Sequence, residues 1–358
     1  MKVAIITLIK PYEGSGDGIT EYTYQIYQKL KDQVHIDLVY PLSKLKRQDT
    51  IGLIYANSLF KLRIKKLAKE KYDVIHIAHP ELGFSAGILR ENGFKGKIVT
   101  CIHDVFRMDK GFNKGIIQGA YDYIVSASIR NAIKHSNFII FTSSSVQKDV
   151  LNRFKEIKNW ETTLLGTKDR FITTPIKKKK YHTYFVVGYI GALVYRKNVI
   201  FLLKTANELK GNKSIRFLVY GSGPEMEHLK SYKEEMGLGN VRFMGFAPED
   251  KLLQIYDSFD TFFWPSFGDS SSFPIEDARA RGLPTIASSN NVFDIEVKKY
   301  VIEVETPKQA AREILKLKGK GFSKKTQKEA INYAKSISWP STARRTFEIY
   351  KRVLERRM

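Results

Sequence analysis

Short apolar runs rich in Val, Ile and Phe alternate with longer stretches of helical spacing along most of the chain. Val3–Leu8, Val34–Tyr40, Val74–Ala78, Ile98–Ile102 and Phe138–Thr142 read as buried strands of one parallel sheet. A second series follows at Tyr184–Ile190, Ile215–Tyr220, Val241–Met244, Thr261–Trp264 and Thr285–Ala287. Strands that alternate with helices predict doubly wound α/β sheets, here two of them. Thr173-Thr174-Pro175-Ile176, followed by Lys177 to Lys180, predicts a solvated linker. The expected division is a first domain over 1–172, a linker over 173–182 and a second domain over 183–340. The tail after Trp339-Pro340 is helical in pattern, with Ala343, Phe347, Tyr350 and Leu354 roughly on one face. A helix over about 341–358 is therefore expected to pack back on the first domain.

A chain of 358 residues is long enough for two such domains, and 43% hydrophobic with 27% charged residues describes a soluble globular protein. The first residues read as a strand rather than a leader, because Pro11 and the glycines after it end the apolar run early. Cys101 is the single cysteine, so no internal disulfide forms and a cytoplasmic, reducing location fits. The seven histidines are scattered, with no His-Glu-x-x-His and no Cys/His cluster, and no metal is expected. The formal charge of +23 changes the picture most, since it favours anionic partners: a nucleotide, an acidic membrane face or nucleic acid. The alternative is a lysine-rich surface without a partner.

Four βα turns carry candidate chemistry. Gly14-Ser15-Gly16-Asp17-Gly18 follows the first strand and opens a helical stretch, where backbone N–H groups can approach an anion. Gly221-Ser222-Gly223-Pro224 repeats that arrangement in the second half. Gly191 to Asn198 follows a strand and carries Arg196 and Lys197, a cationic pair able to neutralise a diphosphate. In the fourth, Trp264 to Pro284, Ser270, Ser271 and Ser272 supply hydroxyls and N–H groups at a helix start, and Asp269 and Asp277 stand at the two ends. A carboxylate beside a nucleotide can hold a vicinal diol, and Asp269 can equally be a helix cap.

The order Gly-x-Gly-Pro, Val-Arg-Phe-Met-Gly-Phe, Asp-x-Phe-Phe-Trp-Pro-Ser and Asp-Ala-x-Ala-x-Gly-Leu-Pro-Thr-Ile-Ala-Ser resembles the C-terminal half of glycosyltransferase family 4. Asp73-Val74-Ile75-His76 and Thr100-Cys101-Ile102-His103-Asp104 extend the resemblance into the first half. It implies the GT-B fold, two Rossmann-like domains facing a central cleft, and a retaining glycosyltransferase that uses a nucleotide diphosphate sugar without metal or cofactor. It places Gly18 over the donor phosphates, His103 against the transferred sugar and Lys197 on the diphosphate. Asp277 falls on the glutamate that grips the ribose, Asp269 on the one near the sugar, and Val241–Phe246, with Gly245, beside the base. The chain departs from the family pattern where Ala192 stands for the usual arginine, with Arg196 as substitute, and where both acids are one methylene shorter. Ser270-Ser271-Ser272 replaces Gly-Phe-Gly, Asn290-Asn291-Val292 replaces a Gly-Gly pair, and Glu276 offers a longer reach if the register slips by one.

Residues 58–69 are helical in pattern, with Phe60, Ile64 and Leu67 on one side and Lys61, Arg63, Lys65, Lys66 and Lys69 around them. The apolar stripe packs on the first sheet or lies in a bilayer interface, and in both cases the lysines can meet lipid phosphates. The expectation is peripheral binding to an acidic inner leaflet and a lipid-linked or envelope-glycan acceptor. Two rivals remain: a catalytically idle relative that binds a nucleotide sugar, and an anion-surface protein that binds nucleic acid.

Overall fold

The computed structural model describes all residues except 13–17, 42–59, 104–115, 177–182, 270–271, 292 and 356–358, and only the backbone of 116–122. The Lys177–Lys180 run, the glycines before Gly18 and two of the three serines thus lie outside the described residues. The chain forms two compact units, Met1–Leu165 with Trp339–Met358, and Gly166–Ser338. Each is a six-stranded parallel sheet with helices, the two-domain α/β architecture of the GT-B fold.

The first sheet comprises β1 (Lys2–Ile6), β2 (His35–Val39), β3 (Val74–Ile77), β4 (Lys97–Ile102), β5 (Phe138–Phe141) and β6 (Trp160–Thr162), in the order β2-β1-β3-β4-β5-β6. The second comprises β7 (Phe185–Ile190), β8 (Ile215–Tyr220), β9 (Val241–Gly245), β10 (Thr261–Trp264), β11 (Thr285–Ser288) and β12 (Val301–Val304), in the order β12-β11-β10-β7-β8-β9. Strand order reverses between β1 and β3 in one sheet and between β7 and β10 in the other. Connections leave in opposite directions there, and a crevice opens at the carboxyl ends. Every residue of β3, β5, β10 and β11 is buried, which is why these strands read as mainly apolar runs, with His76, Thr261, Thr285 and Ser288 as buried polar exceptions. The ten anticipated strands are present; β6 and β12, both short and at sheet edges, were not anticipated.

The division between the units falls at Leu165/Gly166, so residues 166–172 belong to the second unit and not, as expected, to the first. Two side chains explain the shift. Phe171 is buried in the second core, its ring 5.4 Å from that of Tyr256. Arg281, almost completely buried, pairs with Asp257 through Nε at 2.7 Å and Nη2 at 2.8 Å. Its remaining N–H groups donate to the carbonyls of Phe171 (3.2 Å), Thr174 (2.7 Å) and Pro175 (3.1 Å), which ties this segment to the second unit.

At the other crossing the helix Trp339–Glu355 packs with the first unit from its first residue. Its buried face is Trp339, Thr342, Ala343, Thr346, Ile349, Tyr350 and Val353, whereas Leu354 of the anticipated stripe is exposed. Tyr350 Oη lies 2.5 Å from Nδ1 of the fully buried His76, whose pKa burial pulls down to about 3, so the ring is a neutral structural group. Residues 60–67 are helical, with Phe60, Ile64 and Leu67 buried in the first core, so the stripe takes the packing role.

Replacing Arg281 with Met strands the Asp257 carboxylate and three carbonyls. We expect a loss of about 3 kcal/mol in the stability of the second unit, read as a lower urea midpoint; an unchanged midpoint contradicts the anchoring role.

Candidate functional site

The cationic pair and the acid stand at the reversal point of the second sheet. After β7 the chain runs through Gly191 to a single 3-10 turn, Tyr195–Lys197, and into the helix Val199–Glu208. The junction is Asn198 in the left-handed region at φ 49°, a conformation asparagine tolerates better than most residues. Its Nδ2 donates to the carbonyl of Pro265 at 3.1 Å, while Ser266 Oγ (3.1 Å) and Phe267 N (2.9 Å) donate to that of Arg196. The turn after β7 is thereby stitched to the loop after β10.

These bonds deliver Arg196 and Lys197 to Asp269. The Arg196 guanidinium binds Oδ1, and Lys197 Nζ lies 2.9 Å from Oδ2. Oδ2 also accepts the indole N–H of Trp264 at 2.9 Å, and the Asp269 backbone N–H donates to Asn291 Oδ1 at 3.0 Å. Asn291 is held in turn by its own Nδ2 on the Ser288 carbonyl at 3.0 Å. The carboxylate is only 4% exposed. Burial alone would raise its pKa, but Lys197 and Arg196 outweigh that and bring it down to about 2. Asp269 is therefore a permanent anion beside two cations, and the cluster carries net positive charge. Lys197 is largely covered and Arg196 is half exposed.

The glycine turn after β8 has a packing role. Gly221 has φ +145°, and a Cβ on it would sit 1.9 Å from the Gly191 carbonyl oxygen; on Gly223 it would meet the Leu193 oxygen at 2.3 Å. The Gly221 N–H donates to the Gly245 carbonyl at 2.7 Å, and Leu193 N donates to Ser222 O at 2.9 Å. These glycines let the loops after β7, β8 and β9 press together, and the Gly221 amide is already committed.

Ser272 stands at the N-cap position of the helix Phe273–Ala280 without a side-chain capping bond, and its buried hydroxyl has no hydrogen-bond partner among the described residues. Ser270 and Ser271 lie outside those residues. Asp277 is buried on the same helix. Its neighbour Glu276, the candidate for a slipped register, is held by Arg279 at 2.8 Å. Arg279 itself lies over the rings of Tyr333 (4.9 Å) and Tyr300 (5.4 Å). Burial raises the pKa of Glu276, which is 5% exposed and paired with Arg279.

In the first unit Gly18 opens the helix Gly18–Leu30, and His103 follows β4 directly. His103 is buried, its ring edge-on to Tyr22 at 4.8 Å and its carbonyl accepting from Thr142 Oγ1 at 3.4 Å. The residue that sequence reasoning passed over is His79, at the reversal point between β1 and β3. Its Nδ1 accepts from Leu8 N at 3.3 Å and lies 3.2 Å from Thr7 Oγ1. The available signal was its position: it closes the run Val74–Ala78, where a strand meets a βα connection.

The chain is similar to known proteins in family and in fold. Residues 16–164 match the model of the family described as Glycosyltransferase Family 4, and residues 184–319 match that of Glycosyl transferases group 1. An uncharacterized glycosyltransferase of Methanocaldococcus jannaschii is 25% identical over 181 residues, 48% of this chain and 45% of that protein. The matched stretch thus spans less than half the length of that relative. Among solved structures, sucrose-phosphate synthase from Thermosynechococcus elongatus superposes with a TM-score of 0.79 at 17% identity, over 98% of both chains. The HepE protein of Anabaena, in complex with UDP and glucose, gives 0.73 at 13% identity over 98% of this chain and 99% of its own.

The depressed pKa of Asp269 makes a pH prediction with a definite sign. A carboxyl held below its ordinary value of 3.8 stabilises the fold above that pH, and the contribution disappears as pH falls through about 2. Its size is about 2 kcal/mol. Urea unfolding at stepped pH from 5 to 2 should show this loss in the natural protein and not in Asp269→Asn. Equal acid dependence in the two would refute it.

Proposed function

The chain belongs to the group 1, family 4 glycosyltransferases, and we propose that it is a retaining, metal-independent enzyme. Its substrate is a nucleotide diphosphate sugar, and its acceptor a lipid-linked or envelope glycan. The observation that carries this reading is the cluster of Arg196, Lys197 and Asp269 at the β7/β10 reversal point. Open α/β sheets bind nucleotides at such points, and two cations on rigid turns suit a diphosphate.

In the reaction the bond between the anomeric carbon and the β-phosphate oxygen breaks, and its electron pair leaves with the nucleoside diphosphate. Lys197 and Arg196 stabilise the charge that develops there, the role a divalent ion plays elsewhere. The acceptor hydroxyl bonds to the anomeric carbon from the face the leaving group vacates, and its proton passes to the departing phosphate oxygen. Asp277 takes the ribose diol, the unpartnered Ser272 hydroxyl faces the phosphates, and Gly245 and Phe246 lie by the base. His103 keeps the role the resemblance assigns it, orienting the transferred sugar.

Lys197→Ala should weaken nucleoside diphosphate binding by roughly 1.5–3 kcal/mol, the scale of charge-assisted hydrogen bonds, and leave nucleoside binding almost unchanged. Calorimetric titration with UDP, GDP and the parent nucleosides checks it; equal losses for both classes would defeat the assignment. Transfer or donor hydrolysis should survive excess EDTA, and rescue of an EDTA-killed enzyme by Mn²⁺ would remove metal independence.

The acceptor side rests on charge. The chain carries +23, and around residues 60–67 Lys61, Arg63, Lys66 and Lys69 are exposed together with Leu62 at 65%. Among the described residues no helix is long and apolar enough to cross a membrane. A basic face with one apolar side chain suits the surface of an anionic bilayer. Liposome sedimentation should show binding to anionic vesicles that falls with salt, and that drops when Lys61, Arg63, Lys65, Lys66 and Lys69 become Gln. No sedimentation at low salt would favour a soluble acceptor.

A further inference from the structure

Trp264 is the last residue of β10, and it is 2% exposed although it borders the cationic pair. Its ring is stacked with Tyr189 on the neighbouring strand β7 (5.7 Å between centroids, 17° between planes) and with Phe262 two residues earlier (6.0 Å, 22°). Tyr189 is itself anchored by its hydroxyl on the Ala192 carbonyl at 3.0 Å. A Cβ at position 191 would sit 2.6 Å from the Tyr189 hydroxyl and 3.2 Å from the Trp264 ring, so Gly191 leaves the room this stack requires.

The indole held in this way has two free directions, and each meets a charged group. Its face lies under the Lys197 ammonium, 4.5 Å from Nζ to the centroid, and its edge gives the N–H to Asp269 Oδ2 at 2.9 Å. The same Oδ2 accepts from Lys197 Nζ at 2.9 Å. Lys197, Asp269 and Trp264 thus form a closed triangle in which each member touches the other two. An ammonium on a long flexible stem has several rotamers to choose from. An aromatic face and a carboxylate fixed by the same indole leave it one place.

We propose that Trp264 is a positioning residue of the phosphate clamp: by face and edge it fixes Lys197 and Asp269 at the spot where a donor diphosphate binds. This rests on the proposed reading of the cluster as a diphosphate site. Trp264 touches no phosphate itself and acts through Lys197.

A double-mutant cycle in the full chain tests it, with UDP and GDP as probes and uridine and guanosine as phosphate-free controls. Trp264→Leu should weaken binding of the preferred nucleoside diphosphate about tenfold and leave the nucleoside within about twofold. Trp264→Phe keeps an aromatic face and should recover most of the affinity. Adding Lys197→Ala to Trp264→Leu should weaken binding little beyond Lys197→Ala alone, because a residue that acts through another is not additive with it. Losses that multiply, or equal losses for nucleoside and nucleotide, would reduce Trp264 to a core residue.

Should Trp264→Leu fail to fold, Trp264→Phe decides the matter through the edge contact. Without the indole N–H, the acid step of stability assigned to Asp269 should move up by about half a pH unit or more; an unmoved step overturns the proposal. Weakened binding in Lys197→Ala with natural affinity in a folded Trp264→Leu would overturn the positioning role alone. No effect of Lys197→Ala would overturn the diphosphate reading beneath it.

Discussion

The second unit is organised around a buried carboxylate that two cations keep ionised. An isolated charge in the position of Asp269 would take up a proton sooner than stay in so dry a place, yet its pKa is held near 2. That requires Arg196 and Lys197 to arrive together from one strand end and Asp269 from another. The requirement is met only where β7 and β10 run side by side, at the point of the sheet where successive connections diverge. The tight glycine turns, the left-handed Asn198 and the bonds from Ser266 and Phe267 to Arg196 all serve that convergence.

Much of this architecture was legible in the sequence because the strands that carry it are central. Val74–Ile77 and Thr261–Trp264 are buried on both faces, so most of their residues are apolar and the runs stand out. Trp160–Thr162 and Val301–Val304 sit at sheet edges, short, partly exposed and each carrying a glutamate, Glu161 and Glu303, so they stood out less. The boundary between units was misplaced for a related reason. Proline and a lysine run mark a linker well, but the interactions that decide membership, from Arg281 to the carbonyls of Phe171, Thr174 and Pro175, join residues 106 to 110 positions apart. No local pattern reports them.

At the candidate site, residue types were legible and roles less so. Arg196 and Lys197 stood out because cations at a βα turn are unusual, and they do converge with Asp269. Gly221 and Gly223 read as phosphate cradles, yet their lack of side chains is used by neighbouring backbone; sequence shows that space is needed and not what fills it. His79 escaped because its significance lies in the reversal of strand order between β1 and β3, a property of topology.

The departures from the family pattern become coherent once they are considered together. A shorter acid at 269 cannot reach as far as a glutamate, and in this chain both its oxygens are met close by, by Arg196, Lys197 and the Trp264 indole. The asparagines that stand where a glycine pair is usual hold the same loop, Asn290 through its carbonyl to Gly268 N at 3.1 Å and Asn291 through its side chain to Asp269 N. Ala192 offers a carbonyl to Tyr189, which stacks on Trp264, and a cation stands four residues later in Arg196, paired with Asp269. Jointly these substitutions describe one alternative packing, in which charge balance is kept and the volume next to Asp269 is changed. On the proposed reading of the cluster as a diphosphate site, such a change would act on which sugar fits beside it more than on whether a diphosphate is held there.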